Sequence, residues 1–252
     1  MIATVVILAV RRIYGDSEQD AALTAGDCKA LEAVVTTGHS QRITYPGHTV
    51  WFSPEWHEPM CVVYELTRQH TRGPVERQGA FETDSAVAGC ASPKDYTRSG
   101  YERGHMAPAA DFKWSAKAMS ATFKMTNVCP QTSLLNGGAW SRLEQKVREW
   151  AIRDSVLIVA SGPIVGKRHR TVGKSQVAVP EAFFKVILAP CVPRPRAIAF
   201  IYPNGAATRS LSDYVVTVDS VEHATGLDFF SSLPDQVETA IESRSNLSHW
   251  TR

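Results

Sequence analysis

The alternation of apolar and polar positions predicts several β-strands after residue 40. The stretches "ITYPGHTVWFS" and "CVVYELTRQ" are rich in β-branched and aromatic residues, and the turn-like "PEWHEP" separates them. This arrangement predicts a hairpin or a meander. Further apolar runs predict buried strands later in the chain, in "SVLIVASGPIV", "EAFFKVILAP" and "PRAIAFIYPN".

Helical spacing is clearest in "SRLEQKVREWAIRD". The apolar residues of this stretch up to Ala151, together with the preceding Trp140, share one face at helical spacing. Shorter helices are predicted in "KAMSATF" and "SLPDQVETAIESR", and "DYVVTVDSVEHATGLDFFSSLP" predicts a strand followed by a helix. Residues 71–100 keep no sustained period, which predicts a long surface loop of the kind that often carries function. These elements indicate one α/β domain over residues 41–252, preceded by a leader or linker over residues 1–40.

The apolar run from Ile2 to Val10 is too short to span a bilayer, and the arginines follow it instead of preceding it. It is either a truncated or atypical secretory signal or a first strand. No other segment approaches transmembrane length, so we expect no membrane partner. The formal net charge of +2 neither requires nor excludes a nucleic-acid partner, so a polyanion would need a local basic patch.

The five cysteines form no CxxC pair, and no histidine pair has zinc-finger spacing, which argues against a structural zinc site. An oxidising compartment would allow one or two disulfides, whose connectivity the sequence leaves open. Cys129 lies between Val128 and Pro130 without basic neighbours, so we expect a buried or disulfide-bonded thiol and not a nucleophile.

The stretch "YERGHMAPAADFKWS" is the first candidate for chemistry. Small residues flank His105, so its imidazole could stand at a cleft wall and deprotonate water near neutral pH. Arg103 offers a forked cation suited to phosphate, and Arg68 at the end of a predicted strand is a second candidate. In the same stretch, Asp111 is expected to cap the helix that follows and Trp114 to fill the core.

A second candidate lies at the start of the predicted long helix. Asn136, Trp140, Glu144 and Arg148 are each four residues apart, which places the polar members on one stripe at about 100° per residue. They could line a cleft, and the Asn and Glu side chains could hold a hydrated Mg²⁺ for phosphodiester hydrolysis. Alternatively, Glu144 and Arg148 form a surface ion pair and Asn136 is a helix N-cap. Two glycines at 137 and 138 favour close backbone approach by a neighbour or ligand.

The motifs "ERGHMAPAADFKWS" and "TNVCPQTSLLNGGAWSRLEQKVREWA" closely resemble those of the DNA/RNA non-specific endonucleases. The resemblance runs from about Tyr45 to at least Asn204. It implies a ββα-metal nuclease fold, with a central, mainly antiparallel sheet flanked by helices. It also implies a Mg²⁺-dependent endonuclease that hydrolyses both DNA and RNA.

The resemblance implies a role for each matching residue. His105 would be the general base that activates water, and Asn136 would be the sole direct protein ligand of Mg²⁺, for which Mn²⁺ could substitute. Glu144 would hold a metal-bound water and help to protonate the leaving oxygen. The other implied contributors are Arg148, Arg68 and Arg103 at the phosphate, and Asn127 and Gln131 as supports of the metal loop.

One position departs from the family pattern, because Glu102 stands where the usual residue is Asp. Glu102 is expected to support the site and not to react. The departure leaves one alternative, a catalytically weak nucleic-acid-binding relative of the same fold. Retention of His105 and Asn136 favours the enzyme.

The loop "GKRHRTVGK" could track a phosphate backbone or be a solvated loop. It is not a P-loop, because six residues separate its glycines where four are required. A non-specific nuclease would harm its own cell, which favours a secreted or periplasmic protein or a bound protein inhibitor. Relatives are often homodimers, so a homodimer is a further expectation. The candidate phosphate-binding residues of the loop are Lys167, Arg168, Arg170 and Lys174.

Overall fold

The computed structural model describes residues 34–36 and 38–251. The predicted first strand or signal between Ile2 and Val10 lies outside these residues. Within them, no helix is long and apolar enough to cross a membrane. The cysteines at 61, 90 and 129 are free thiols, and Cys129 is buried as predicted.

A seven-stranded antiparallel sheet forms the centre of the fold. The strands of this sheet are β2 (Gln41–Tyr45), β3 (His48–Ser53), β4 (Glu58–Thr67), β7 (Val156–Ile164), β10 (Ala182–Ala189), β11 (Arg196–Pro203) and β12 (Val215–Val216). Their order across the sheet is β12-β11-β10-β7-β4-β3-β2, so neighbours in the sheet are often neighbours in the chain.

The first predicted strand is in fact two strands. "ITYPGHTVWFS" contains a tight turn between β2 and β3, where Tyr45 pairs with His48. Gly47 in this turn has φ +96°, a conformation that favours glycine, and a Cβ there would lie 2.9 Å from Phe112. The alternation of the sequence is compatible with one long strand, and only the turn residues Pro46 and Gly47 indicate the break.

In the part of the chain that the structure describes, four α-helices surround the sheet: α1 (Ala116–Ala121), α2 (Ser141–Asp154), α3 (Val218–Thr225) and α4 (Asp235–Glu242). One core cluster joins α2 to one sheet face through Leu143, Val147 and Trp150. A second cluster joins α3 and α4 to the other face through Val218, Val221 and Ile241. The prediction of a central, mainly antiparallel sheet flanked by helices is therefore confirmed.

Short strand pairs complete the fold. In one of them, β1 (Val34–Thr36) pairs with β13 (Leu227–Phe229), so residues before 41 contribute to the folded part of the chain. A third pair joins β8 (Thr171–Val172) to β9 (Val177–Ala178). The pair most important for function is β5 (Glu102–His105) with β6 (Val128–Gln131), which lies in sequence before α2.

The predicted loop of residues 71–100 contains single turns of 3₁₀-helix, at His70–Arg72 and Pro93–Tyr96, and an isolated β-bridge from Glu82 to Lys124. Among the described residues, further turns of 3₁₀-helix are Ala109–Phe112, Met125–Asn127, Leu211–Tyr214 and Leu247–His249. The prediction that Trp114 fills the core is wrong. Its side chain is 40% exposed and stacks on His70, with 4.7 Å between the ring centroids.

Candidate active site

A cleft of about 540 Å³ opens where β5, the residues after it and the start of α2 meet. The long loop before β5 contributes Arg77 and Phe81 to its wall. The structure brings together in this cleft six of the residues that the sequence singled out, namely Glu102, Arg103, His105, Asn136, Glu144 and Arg148.

His105 is the last residue of β5, and its imidazole lies between two aromatic rings. The ring centroids of Phe81 and Phe123 are each 5.1 Å from that of His105. Its Nε2 atom is buried and has no hydrogen-bond partner among the described residues. Burial, aided by the positive charge of Arg77, lowers the pKa of His105 from 6.5 to about 3. The imidazole is therefore neutral near pH 7, which is the form that accepts a proton.

Gly104 is required beside His105 because Gln131 packs directly against its backbone. A Cβ at Gly104 would lie 2.1 Å from Oε1 of Gln131, closer than any real contact. Gln131 pairs with Glu102 across β5 and β6 and is fully buried. It therefore supports the strand that carries the imidazole and does not line the cleft.

Asn127 is also buried and fixes the backbone just after His105. Its Oδ1 accepts a hydrogen bond from the Ala107 N–H at 2.9 Å. Its Nδ2 donates to the carbonyl oxygens of Ala107 at 2.9 Å and Thr122 at 2.8 Å. These bonds satisfy otherwise unpaired backbone groups, so Asn127 holds the small-residue run in place.

Asn136 lies in a π-helical segment, Leu135–Trp140, that precedes α2. The alternative of a helix N-cap does not hold, because α2 begins five residues later at Ser141. Gly138 has the non-helical angles φ −107° and ψ −110°, which mark a kink inside this segment. A Cβ at Gly137 would meet nothing within 4 Å, so the expected close approach of a protein neighbour is absent there.

The side chain of Asn136 is oriented by Glu102. Its Nδ2 donates to Oε2 of Glu102 at 2.7 Å. This bond leaves Oδ1 of Asn136 without a protein partner among the described residues and available to a cation in the cleft. Glu102, the departure from the family pattern, therefore contacts the predicted metal ligand directly.

Arg148 does not form the alternative surface ion pair with Glu144. Its Nη1 donates to Oδ1 of Asp111 at 2.9 Å, and Asp111 Oδ2 accepts from the Tyr64 hydroxyl at 2.7 Å. The predicted capping role of Asp111 is wrong, because Ser115 caps α1 by accepting from the Ala118 N–H. Asp111 is instead a buried anchor that fixes the guanidinium of Arg148 at the cleft.

Glu144 has a carboxyl group tuned by buried neighbours. Burial raises the pKa of Glu144 to about 7, Lys185 opposes that rise, and Asp111 adds to it. Lys185 is fully buried on β10, where its Nζ donates to Ser161 Oγ at 2.6 Å and lies 4.4 Å from the centroid of the Trp140 ring. Lys185 was not among the predicted site residues, although a lysine inside the apolar run "EAFFKVILAP" is a signal of a buried charge.

The two strand-associated arginines have different positions. Arg103 lines the cleft, donates to the Pro93 carbonyl at 2.7 Å and lies over the Phe81 ring. Arg68 lies outside the cleft. It donates to the carbonyls of Ile152 and Arg153 at the end of α2, so its predicted contact with phosphate does not fit the structure.

Arg77 supplies the guanidinium that Arg68 does not. It lines the cleft, contacts the Phe123 ring by a cation–π interaction and acts electrostatically on both His105 and Glu144. Arg77 was not among the predicted site residues, because the loop of residues 71–100 has no period that would show which side chains face inward.

The basic loop of residues 166–174 lies beside the cleft and contacts it at one point. The Arg170 guanidinium donates to the hydroxyl of Tyr101, a residue of the cleft wall, and lies over its ring. The other predicted phosphate contacts of the loop, Lys167, Arg168 and Lys174, are exposed and do not line the cleft.

The chain was compared with known proteins. A family model described as DNA/RNA non-specific endonuclease matches residues 29–236. A relative from Danio rerio, named nuclease EXOG, mitochondrial, is 36% identical over 76% of this chain and 61% of its own length. Endonuclease G, mitochondrial, from Homo sapiens is 31% identical over 78% of this chain and 71% of its own length. The chain thus spans about three fifths of the zebrafish relative.

The comparisons overturn one prediction and support another. The prediction of a secreted or periplasmic protein is wrong, because both relatives are named mitochondrial nucleases. A solved structure of the EndoG/EndoGI complex, described by its mechanism of EndoG inhibition, has a TM-score of 0.74. It is 27% identical and covers 78% of this chain and 88% of its own. Motif, fold and overall similarity agree, and the chain belongs to the DNA/RNA non-specific endonuclease family.

Proposed function

We propose that this protein is a Mg²⁺-dependent endonuclease that hydrolyses phosphodiester bonds in both DNA and RNA. The observation that carries the proposal is the pairing, in one cleft, of a neutral imidazole with an oriented carboxamide oxygen. Family membership supports nuclease chemistry in general. The roles of individual residues rest on the geometry of the cleft.

The donor set of the cleft fits a hydrated Mg²⁺ ion. Mg²⁺ keeps several waters and takes few protein ligands, all of them oxygen. Asn136 offers an oxygen whose direction is fixed by Glu102, and Glu144 adds a carboxylate to the same cleft. Asn136 would bind the ion directly and Glu144 would hold one of its waters, while Mn²⁺ would satisfy the same oxygen ligands. When bound, the ion would offset negative charge on the phosphate.

His105 would take a proton from the attacking water. In the protein alone, its low pKa makes it a weak base. A phosphodiester in the cleft brings negative charge near the imidazole and raises the pKa of His105. The base therefore becomes stronger when the substrate is present, while Phe81 and Phe123 limit the rotation of the ring.

The remaining side chains would bind phosphate and move the second proton. Arg148, held by Asp111, and Arg77 would offset the charge that develops on the phosphate oxygens. Glu144, with a pKa near 7, exchanges protons readily at neutral pH and would help to protonate the leaving oxygen. None of these groups is arranged to read base edges, so weak sequence preference follows.

The test is digestion of supercoiled plasmid and of RNA, with Mg²⁺ and with EDTA. We expect both substrates to be degraded only with Mg²⁺. His105→Ala should lower the rate by about 10²–10⁴-fold, the usual contribution of a general base. Asn136→Ala should abolish the response to Mg²⁺ in the same concentration range.

His223→Ala and Asn246→Ala serve as matched controls, because both residues are exposed and outside the cleft. Each should digest both substrates at the wild-type rate. Plasmid binding by the wild type without cleavage would reject the enzyme and favour the alternative, a nucleic-acid-binding relative. Cleavage of DNA but not RNA would keep the endonuclease and reject only the proposal that it acts on both nucleic acids.

The names of the relatives also support a mitochondrial location for this protein. Co-localisation of the tagged protein with a mitochondrial marker tests it, and a signal confined to another compartment would contradict it. A homodimer and a protein inhibitor for this chain stay predictions. Sedimentation of the purified protein tests the former.

A further inference from the structure

A group of acidic side chains lies on α3, β13 and α4, the elements that pack on or beside the second core cluster. This face of the sheet is opposite the face that carries α2 and the cleft. We call the group the acidic cluster, and its members are Asp219, Glu222, Asp228, Glu238 and Glu242.

Three members of the acidic cluster converge on one point. Asp219 and Glu222 lie one turn apart on α3, and Glu242 is the last residue of α4. Each offers one carboxylate oxygen, and these oxygens all lie within 4.8 Å of one another. Oxygens at this spacing can share a Ca²⁺ ion at the usual Ca–O distances of about 2.3–2.6 Å.

The burial of Glu242 is a second observation that points to a ligand at this site. Its side chain is only 5% exposed, and its Oε1 atom is buried without a hydrogen-bond partner among the described residues. The carboxyl groups of Glu222, Glu238 and Asp219 lie near enough to act on it electrostatically. A buried carboxylate in such surroundings is unstable unless a cation or a hydrogen bond compensates it.

The protein itself supplies no such cation within the described residues. No lysine, arginine or histidine there forms an ion pair with any member of the acidic cluster. Glu242 also stands at the carboxyl end of α4, where the helix dipole is negative and favours a cation. The Glu238 Oε1 atom is likewise buried and unpartnered, which adds to the negative potential.

We propose that Asp219, Glu222 and Glu242 bind a divalent cation, Ca²⁺, at a site separate from the cleft. The purely oxygen donor set suits a hard cation, and Ca²⁺ tolerates the irregular geometry of three side chains completed by water. The ion would join α3 to the end of α4. Its effect would therefore be on the stability of this helical layer and not on the chemistry of hydrolysis.

The experiment measures the melting temperature of EDTA-treated protein before and after addition of CaCl₂ or MgCl₂. We expect Ca²⁺ to raise the melting temperature of the wild type by several degrees when it is in excess over its dissociation constant. Glu242→Gln should lose this rise, and Asp219→Asn should lose it too. Asp219 is exposed, so its variant decides the matter if Glu242→Gln does not fold.

Two controls separate this site from others. Glu149→Gln removes an exposed carboxylate on α2 and should keep the full rise. Asn136→Ala should keep it as well, because the proposed Mg²⁺ ligand lies in the cleft. Calorimetric titration with CaCl₂ should give one site fewer in Glu242→Gln than in the wild type.

Two results would overturn the proposal. One is a wild-type melting temperature that does not respond to Ca²⁺. If that melting temperature also rises as the pH falls from 8 to 6, protons neutralise the acidic cluster in place of a cation. The other is an equal Ca²⁺ response in the wild type, Glu242→Gln and Asp219→Asn, which would locate the binding elsewhere.

Discussion

At the scale of single residues, Glu102 determines which atom of Asn136 faces the cleft. An amide can present either its oxygen or its NH₂ group, and only the oxygen binds a cation. The 2.7 Å bond from Asn136 Nδ2 to Glu102 Oε2 selects the oxygen. A glutamate reaches this amide directly, so replacement of the family's usual Asp does not remove the support from the site.

Removal of that support should weaken metal binding. In Glu102→Ala, the Asn136 amide can rotate, and the loss of a carboxylate that orients a ligand typically weakens metal affinity about 10–100-fold. We expect the Mg²⁺ concentration for half-maximal plasmid cleavage to rise by about that factor. The rate at saturating Mg²⁺ should fall less.

The exposed Glu149 provides the comparison for this prediction, since Glu149→Ala removes a carboxylate of the same charge outside the cleft. Its Mg²⁺ dependence should match that of the wild type. An unchanged half-maximal Mg²⁺ concentration in Glu102→Ala would show that the amide does not need Glu102 for its orientation.

At the scale of elements, Arg68 illustrates a residue whose role depends on where a helix ends. Its guanidinium donates to Ile152 O at 2.6 Å, Arg153 O at 3.2 Å and Ser155 Oγ at 3.1 Å. Two of these acceptors are carbonyls of the last turn of α2, which no intrahelical N–H can reach. Arg68 therefore closes this helix end and offsets its negative dipole.

Arg68→Ala should lower stability and spare catalysis. The lost cap and dipole interaction are worth about 1 kcal/mol at an exposed helix end, which lowers the melting temperature by about 2–4 °C in a protein of this size. Plasmid cleavage should stay within about twofold of the wild type at 25 °C, because a stable protein is still almost fully folded after such a loss. Thermal melts and initial rates on the same samples measure both effects.

Arg77→Ala is the matched variant, since Arg77 lines the cleft and makes no helix cap. It should show the opposite behaviour, with slower cleavage and an unchanged melting temperature. A severe loss of cleavage by stable, folded Arg68→Ala would restore the role at the phosphate that the sequence suggested.

The elements also show how far the sequence could lead. His105, Asn136 and Glu144 could be assigned to one site, because their motif spacing is tied to β5, β6 and α2. The hydrogen-bond partners of Asp111 could not be predicted from the sequence, because Tyr64 and Arg148 reach it only through tertiary packing. Local preference made Asp111 a helix cap, and a buried network of hydrogen bonds outweighed that preference.

At the scale of the whole molecule, the sheet separates two layers that hold different sets of charged groups. The α2 layer buries Lys185, Asp111 and Glu144 around the candidate active site. The α3 and α4 layer carries the acidic cluster. Lys185 and its neighbour Phe184 illustrate the division, because adjacent residues of β10 point to opposite faces. Apolar patterning predicts both layers, and it does not reveal the charges that each layer holds.

The stability of the folded protein at acid pH depends on the titratable groups buried in its interior. Among them, His48 makes a contribution that falls as the pH falls. His48 is 2% exposed, stacks on Tyr45 and contacts Phe112, and neither ring nitrogen has a hydrogen-bond partner among the described residues. Burial is the main cause that lowers the pKa of His48 from 6.5 to about 3, with a smaller electrostatic contribution from the neighbouring His105. Between these values the unfolded chain binds a proton that the folded protein does not. The stabilisation is therefore complete above pH 6.5 and is lost as the pH falls towards 3.

His48→Phe should remove this part of the pH dependence. Phenylalanine fits between the same aromatic rings and has no nitrogen to protonate, so we expect similar unfolding free energies at pH 7. Each pH unit below 6.5 costs the wild type up to about 1.4 kcal/mol from this imidazole alone, and the variant should avoid that loss. Urea unfolding at pH 7 and pH 5 measures the difference, with His223→Phe as the control because His223 is exposed on α3. Parallel losses in the wild type and in His48→Phe would assign the acid sensitivity to other buried groups.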